Sequence, residues 1–117
     1  VKIKIFGAEE LDRKLQRLPA EIDAGARRAV REEVDETAED LRRDAPVLTG
    51  FLRDSIRRRI AKRTLSGTVA ITAKYAEFVV RGTDDTPAND FVTPVTEETA
   101  RRFPDRLRAA VRAEMRA

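Results

Sequence analysis

Six basic side chains fall within eleven residues, Arg53, Arg57, Arg58, Arg59, Lys62 and Arg63, opposed within that stretch by Asp54 alone. Clustered guanidinium groups pair with phosphate oxygens, so the chemistry on offer is electrostatic attachment to a nucleic acid. The opposing reading is a solvated strand face, or one that meets acidic residues of an adjacent subunit. No aromatic residues interleave to stack on bases, and the sequence holds no helix-turn-helix or zinc pattern. Arg58 shares its strand face with Ile56 and Ile60, which makes it the arginine expected to be paired.

Other residue groups offer less. Asp84, Asp85 and Asp90 carry oxygen ligands for a hard cation, but their spacing does not fit an EF-hand and no Glu closes it, so a hydrated loop is expected. Glu77 beside Tyr75 has no second carboxylate placed across a substrate. With no Cys and no His in 117 residues, disulfides, thiolate nucleophiles, imidazole acid-base chemistry and the common zinc sites are excluded. The expectation is a non-enzyme without cofactor or metal.

These residues need elements to position them. Val1 to Ile5 alternates apolar and basic side chains, the period of a half-buried strand. Leu11, Leu15 and Leu18 mark a short helix between Ala8 and Leu18, interrupted at Pro19. From Ala20 to about Asp44, Ile22, Ala26, Val30, Val34, Ala38 and Leu41 form one apolar stripe, with Asp23 facing Arg27 and Glu39 facing Arg43 at i,i+4. Such a helix spans about 37 Å, long enough that part of it is expected to pack on a neighbour. Pro46 ends it. Val47 to Asp54 reads as a helical turn capped by Thr49. Ser55 to Arg63 is a strand, Leu65-Ser66-Gly67 a turn, and Thr68 to Ala73 the returning strand of a hairpin. Tyr75 to Val80 fits strand or helix, and Gly82 to Asp90 is loop. Val95, Phe103, Leu107, Val111 and Met115 mark the apolar face of a terminal helix with a kink or restart at Pro104.

The order predicts one α+β domain over residues 1–117, a small antiparallel sheet with a β-hairpin packed against a long helix and a C-terminal helix. The composition, 38% charged and 5% aromatic, describes a thin core under a charged skin that gains stability from partner subunits. Net charge is +3 from 24 basic and 21 acidic side chains, a small excess for a nucleic-acid binder. No apolar run approaches the ~20 residues of a membrane span and no signal-type segment opens the chain, so a soluble intracellular protein is expected.

Two stretches remain, DAPVLTGFLRDSI at 44–56 and KYAEFVVRGTDDTPANDFVTPV at 74–95. Ala45, Pro46, Val47, Thr49, Gly50, Leu52, Arg53, Ser55 and Ile56 match an APVDTG-x-LR-x-SI pattern. Tyr75, Ala76, Phe78, Val79, Gly82 and Thr83 match Y-A-x-F-V-E-x-G-T. Pro87, Ala88, Phe91 and Pro94 fit a proline-bounded segment that opens the last helix. With these three segments in register across residues 1 to about 95, the chain resembles the tail-completion or neck proteins of long-tailed bacteriophages. Leu48, Val80 and Asn89-Asp90 depart from the pattern, standing where that family usually has Asp, Glu, and a basic residue followed by Pro.

The resemblance implies a virion structural protein at the head-to-tail junction, assembled in the host cytoplasm as a homo-oligomeric ring of six. Its implied partners are a head-closure adaptor on one side and the tail terminator and tail tube on the other. DNA would pass through the channel without sequence-specific binding, and no membrane is involved. The residues expected at interfaces are Arg53, Arg57, Arg58, Arg59, Tyr75, Phe78, Gly82, Thr83, Pro87, Phe91 and Pro94. Arg53 is expected to meet a carboxylate, and Phe91 either plugs into a neighbour or fills the core. The long helix and hairpin are expected to supply subunit contacts, with the loop from Gly82 to Pro94 reaching toward a partner ring. The alternative is a small nucleic-acid-binding module using the Arg53 to Arg63 strand.

Overall fold

A computed structural model describes residues 1–6, 20–46, 50–61, 65–85 and 87–116. The helix expected between Ala8 and Leu18, the Thr49 cap, Leu48, Lys62 and Arg63 lie outside them. Three strands, β1 (Lys2–Phe6), β2 (Ile56–Ile60) and β3 (Ser66–Ile71), form an antiparallel sheet in the order β1-β3-β2. The register sets Ile3 and Arg58 opposite Val69, Ile5 and Ile60 opposite Gly67, and Ile56 opposite Ile71. Side chains alternate across a strand, so these residues share one face. Lys2, Lys4, Arg57, Arg59, Thr68 and Ala70 share the other.

Helix α1 (Ala20–Asp44) lies on the apolar face, and α4 (Val92–Arg116) packs against α1. Two short helices, α2 (Phe51–Asp54) and α3 (Ala76–Arg81), connect the layers. The result is the α+β arrangement expected, with α1 ending just before Pro46. On the sheet side, Val30, Val34, Ala38 and Leu41 are buried with Ile3, Ile5, Ile56, Val69 and Ile71. Ser66 and Gly67 belong to the strand and not to a turn. The reason is packing: a Cβ at Gly67 would stand 2.3 Å from Val34 Cγ2, so only glycine lets α1 sit this close.

The opposite seam is mixed: α4 buries Val95, Phe103 and Leu107 there, beside a polar network. Glu33 is wholly buried between the helices. Its carboxylate meets Arg102 at 2.9 Å and Arg106 at 2.9 Å. Glu36 lies 3.0 Å from Arg102 and also pairs with Arg106, and Asp40 lies 3.3 Å from Arg102. One turn further along α1, the buried Thr37 and Thr99 hydroxyls share a hydrogen bond of 2.7 Å. Burial of the Arg102 guanidinium works against its charge, but the hydrogen bond and charge of Glu33, backed by Glu36 and Asp40, prevail and hold its pKa above the ordinary arginine value.

Several expectations change in detail. Asp23 pairs with Arg27 at 2.8 Å as expected, whereas Arg43 meets Asp40 and Asp44 and leaves Glu39 to Arg42. Helix α4 is as long as α1, 25 residues each, and the two pack on each other. Helix α4 runs through Pro104 without a restart. Pro104 and Ala100, whose carbonyl loses its donor, both lie on the exposed side of the helix, where water can reach that oxygen. Val95, Phe103 and Leu107 are buried as expected, but Met115 is 68% exposed, near the end of α4.

Candidate partner-binding surfaces

The turn after α1 begins with Gly50 at φ 73°. A Cβ there would meet nothing within 4 Å, so the requirement is the left-handed backbone and not space. The single turn of α2 that follows buries Leu52 and turns Phe51 outward at 61% exposure. Ser55 closes it, its hydroxyl donating to the Leu52 carbonyl at 2.8 Å. The Ser55 carbonyl in turn accepts from the backbone N–H of Thr72 at 3.0 Å and from its hydroxyl at 2.7 Å. This staples α2 to the end of β3, and through it to Tyr75.

The Phe51 and Tyr75 rings stack there with centroids 6.1 Å apart and planes 27° from parallel. On α3, Ala76 is buried, and Val79 and Val80 pack against the core. The stretch that fitted strand or helix is therefore a helix, with Phe78 left 62% exposed. Glu77 and Arg81, 3.1 Å apart, flank Phe78. An open cleft of about 550 Å³ lies beside the stacked pair, lined by Phe51, Tyr75, Thr72 and Ala73 with Arg57 and Lys74. The stacked pair is thus bordered by Asp54, Arg57 and Lys74, and Phe78 is exposed three residues further along the chain from Tyr75. Phe51 was not among the expected interface residues, since its pattern position reads as a variable one between Gly50 and Leu52. Its one available signal was apolar bulk beside a glycine.

Gly82 ends α3 at φ 80° and ψ 171°, a backbone region open essentially to glycine alone. Its N–H donates to Phe78 O at 2.8 Å, and the Asn89 N–H returns to Val79 O at 2.9 Å. The loop is thereby tied back to α3, with Thr83, Pro87 and Asn89 on its exposed side. Asp90 caps α4, its Oδ1 accepting from the N–H groups of Val92 at 3.1 Å and Thr93 at 2.9 Å. The Thr93 hydroxyl bonds the other oxygen. These bonds, the Thr93 hydroxyl first, hold the Asp90 carboxyl below its ordinary pKa. Capping also lets α4 start at Val92, ahead of Pro94, which stands exposed in the first turn where a missing N–H costs little. Phe91 is 5% exposed and belongs to the core, the second of its two expected placements.

The basic run divides. Arg53 donates to the Arg42 carbonyl at 3.2 Å and meets no carboxylate among the described residues. The last carbonyls of α1 lack helical donors and draw it there. Arg58 pairs with Asp35 of α1, as its strand parity predicts. Arg57 and Arg59 are exposed on the opposite face. No group of acidic side chains among the described residues forms a metal site, and no helix of them is long and apolar enough to cross a membrane.

No curated protein and no solved structure matches the chain. A family model does. Residues 9–82 match the family described as "Bacteriophage HK97-gp10, putative tail-component". That span covers well over half of the chain and includes α1, the Gly50 turn, the hairpin and the aromatic surface. The segment at 44–56 and most of the one that begins at Tyr75 lie within the match and the proline-bounded third lies beyond it; on the matched span, the chain belongs to the HK97 gp10-like family of bacteriophage tail components.

Proposed function

We propose that the protein is a non-enzymatic virion component that assembles as a ring of six at the head-to-tail junction, between the head-closure ring and the tail terminator. The family match over residues 9–82 carries this reading. The geometry supports it through the exposed, stacked rings of Phe51 and Tyr75 inside a charged border, with Phe78 exposed on the adjoining α3; together they have the makeup of a protein interface. A closed ring needs a heterologous contact, in which the patch on one subunit meets a different patch on the next. The aromatic surface is one such patch, presented by α2 and α3, and the connector from α3 to α4, tied to Val79 through Asn89, adjoins it. In this reading the protein works by shape, and its interleaved charges set register between stacked rings more than they supply affinity.

Phe78→Asp tests it. The ring is exposed, so the thermal transition of the variant should match the parent, while infected cells accumulate unjoined heads and tails. Electron microscopy of intact particles should show six copies in the collar. Normal joining by a Phe51→Asp, Phe78→Asp double variant, or virions that lack the polypeptide, would overturn the proposal.

A further inference from the structure

The outer face of the sheet holds Lys2 and Lys4 on β1 and Arg57 and Arg59 on β2, all exposed, around Thr68 and Ala70 of β3. Register fixes this arrangement: Lys2 and Arg57 both oppose Ala70, and Lys4 and Arg59 both oppose Thr68. From strand geometry the four positions mark a rectangle of about 7 by 10 Å. Among the described residues no carboxylate pairs with Lys2, Lys4 or Arg59. The Arg57 guanidinium is held by the carbonyls of Asp54 and Ile56, which fix its position without neutralising it. Arg58, between Arg57 and Arg59 on β2, pairs with Asp35 and lies on the opposite face.

We infer that this face binds the phosphate backbone of duplex DNA without regard to sequence. Charge complementarity selects a polyanion, and the composition of the face selects DNA over an acidic protein. Protein interfaces concentrate apolar and aromatic residues at their centre and exclude charge from it. Here the described centre is Thr68 and Ala70, and the cations surround it. Base readout would need side chains able to enter a groove, whereas four cations projecting from a short sheet touch phosphates alone. The inference rests on the sheet face and not on the ring, although a ring through which DNA passes would give the face its partner.

The test is fluorescence anisotropy of the full chain with a labelled duplex of arbitrary sequence across a salt series. Four phosphate contacts predict a slope of log affinity against log salt near −3.6, a loss of roughly 150-fold between about 50 and about 200 mM. Lys4→Gln with Arg59→Gln should halve the slope and reduce that loss to about 12-fold. Arg58→Gln, on the other face, should leave the slope unchanged. Circular dichroism confirms that each variant is folded. A flat salt response, an unchanged slope in the double variant, or equal competition by polyglutamate at matched charge would overturn the inference, the last in favour of an acidic protein partner. If the slope stands while virions lack the protein, only the ring reading fails; if the collar holds six copies while the slope is flat, only this inference fails.

Discussion

Helix α1 is gripped on two sides by different materials. Toward the sheet it offers Val30, Val34, Ala38 and Leu41 to a surface of Ile and Val, with Gly67 letting the backbones approach. Toward α4 it offers Glu33, Thr37 and Asp40 to Arg102, Arg106 and Thr99. Apolar contact gains stability roughly in proportion to area and tolerates many arrangements. A buried ion network gains little net stability, since desolvation offsets most of the attraction, yet it is satisfied in one alignment only. Apolar contact, from the sheet and from Val95, Phe103 and Leu107 of α4, therefore holds the helix, and the ion network sets where the last helix lies along it.

The sharpest way to break that distinction is Glu33→Ala. It removes the one wholly buried carboxylate of the network and leaves Arg102 and Arg106 only the more exposed Glu36 and Asp40, which should cost about 3 kcal/mol in urea unfolding. Replacing Glu33, Arg102 and Arg106 together by apolar residues of similar volume should be neutral or stabilising in the same assay. A triple variant as unstable as Glu33→Ala would show that the ions hold the fold and do more than align it. On the apolar side, Gly67→Ala should cost about 1–3 kcal/mol by overpacking, because branched Val34 has little room to turn away. Smallest is Asp90, which sets where α4 begins. Asp90→Ala should cost about 1 kcal/mol as a lost cap. The folded-state pKa of Asp90 is lowered, so its contribution is complete above the unfolded value and fades as pH falls through the folded one. Asp90→Asn should keep the cap and flatten the acid side of the stability curve, which thermal melts across an acidic pH series would show.

The sheet side was the legible side. Apolar residues at helical spacing in α1 and alternating residues in β1 and β2 announce burial directly, and the parity that set Arg58 apart from Arg57 and Arg59 followed from the strand period alone. The polar seam was hidden because Glu33 and Thr37 look like solvent-facing residues until α4 is placed against them. The available signal was the pairing of acids at 33, 36 and 40 with arginines spaced four apart at 102 and 106. Tyr75 to Val80 stayed open because six residues hold too few turns to separate helix from strand by period. The aromatic surface was legible in Tyr75 and Phe78 but not in Phe51, whose outward turn depends on the backbone of Gly50.

The contact between Gly67 and Val34 reaches beyond this one chain. The absent methyl on the strand and the branched side chain on the helix divide a fixed volume between them. Among relatives, a larger residue at the strand position should therefore arrive together with a smaller one at the helix position. Covariation between two sites so far apart along the polypeptide would record the gap between layers in a set of aligned sequences, with no coordinates at all.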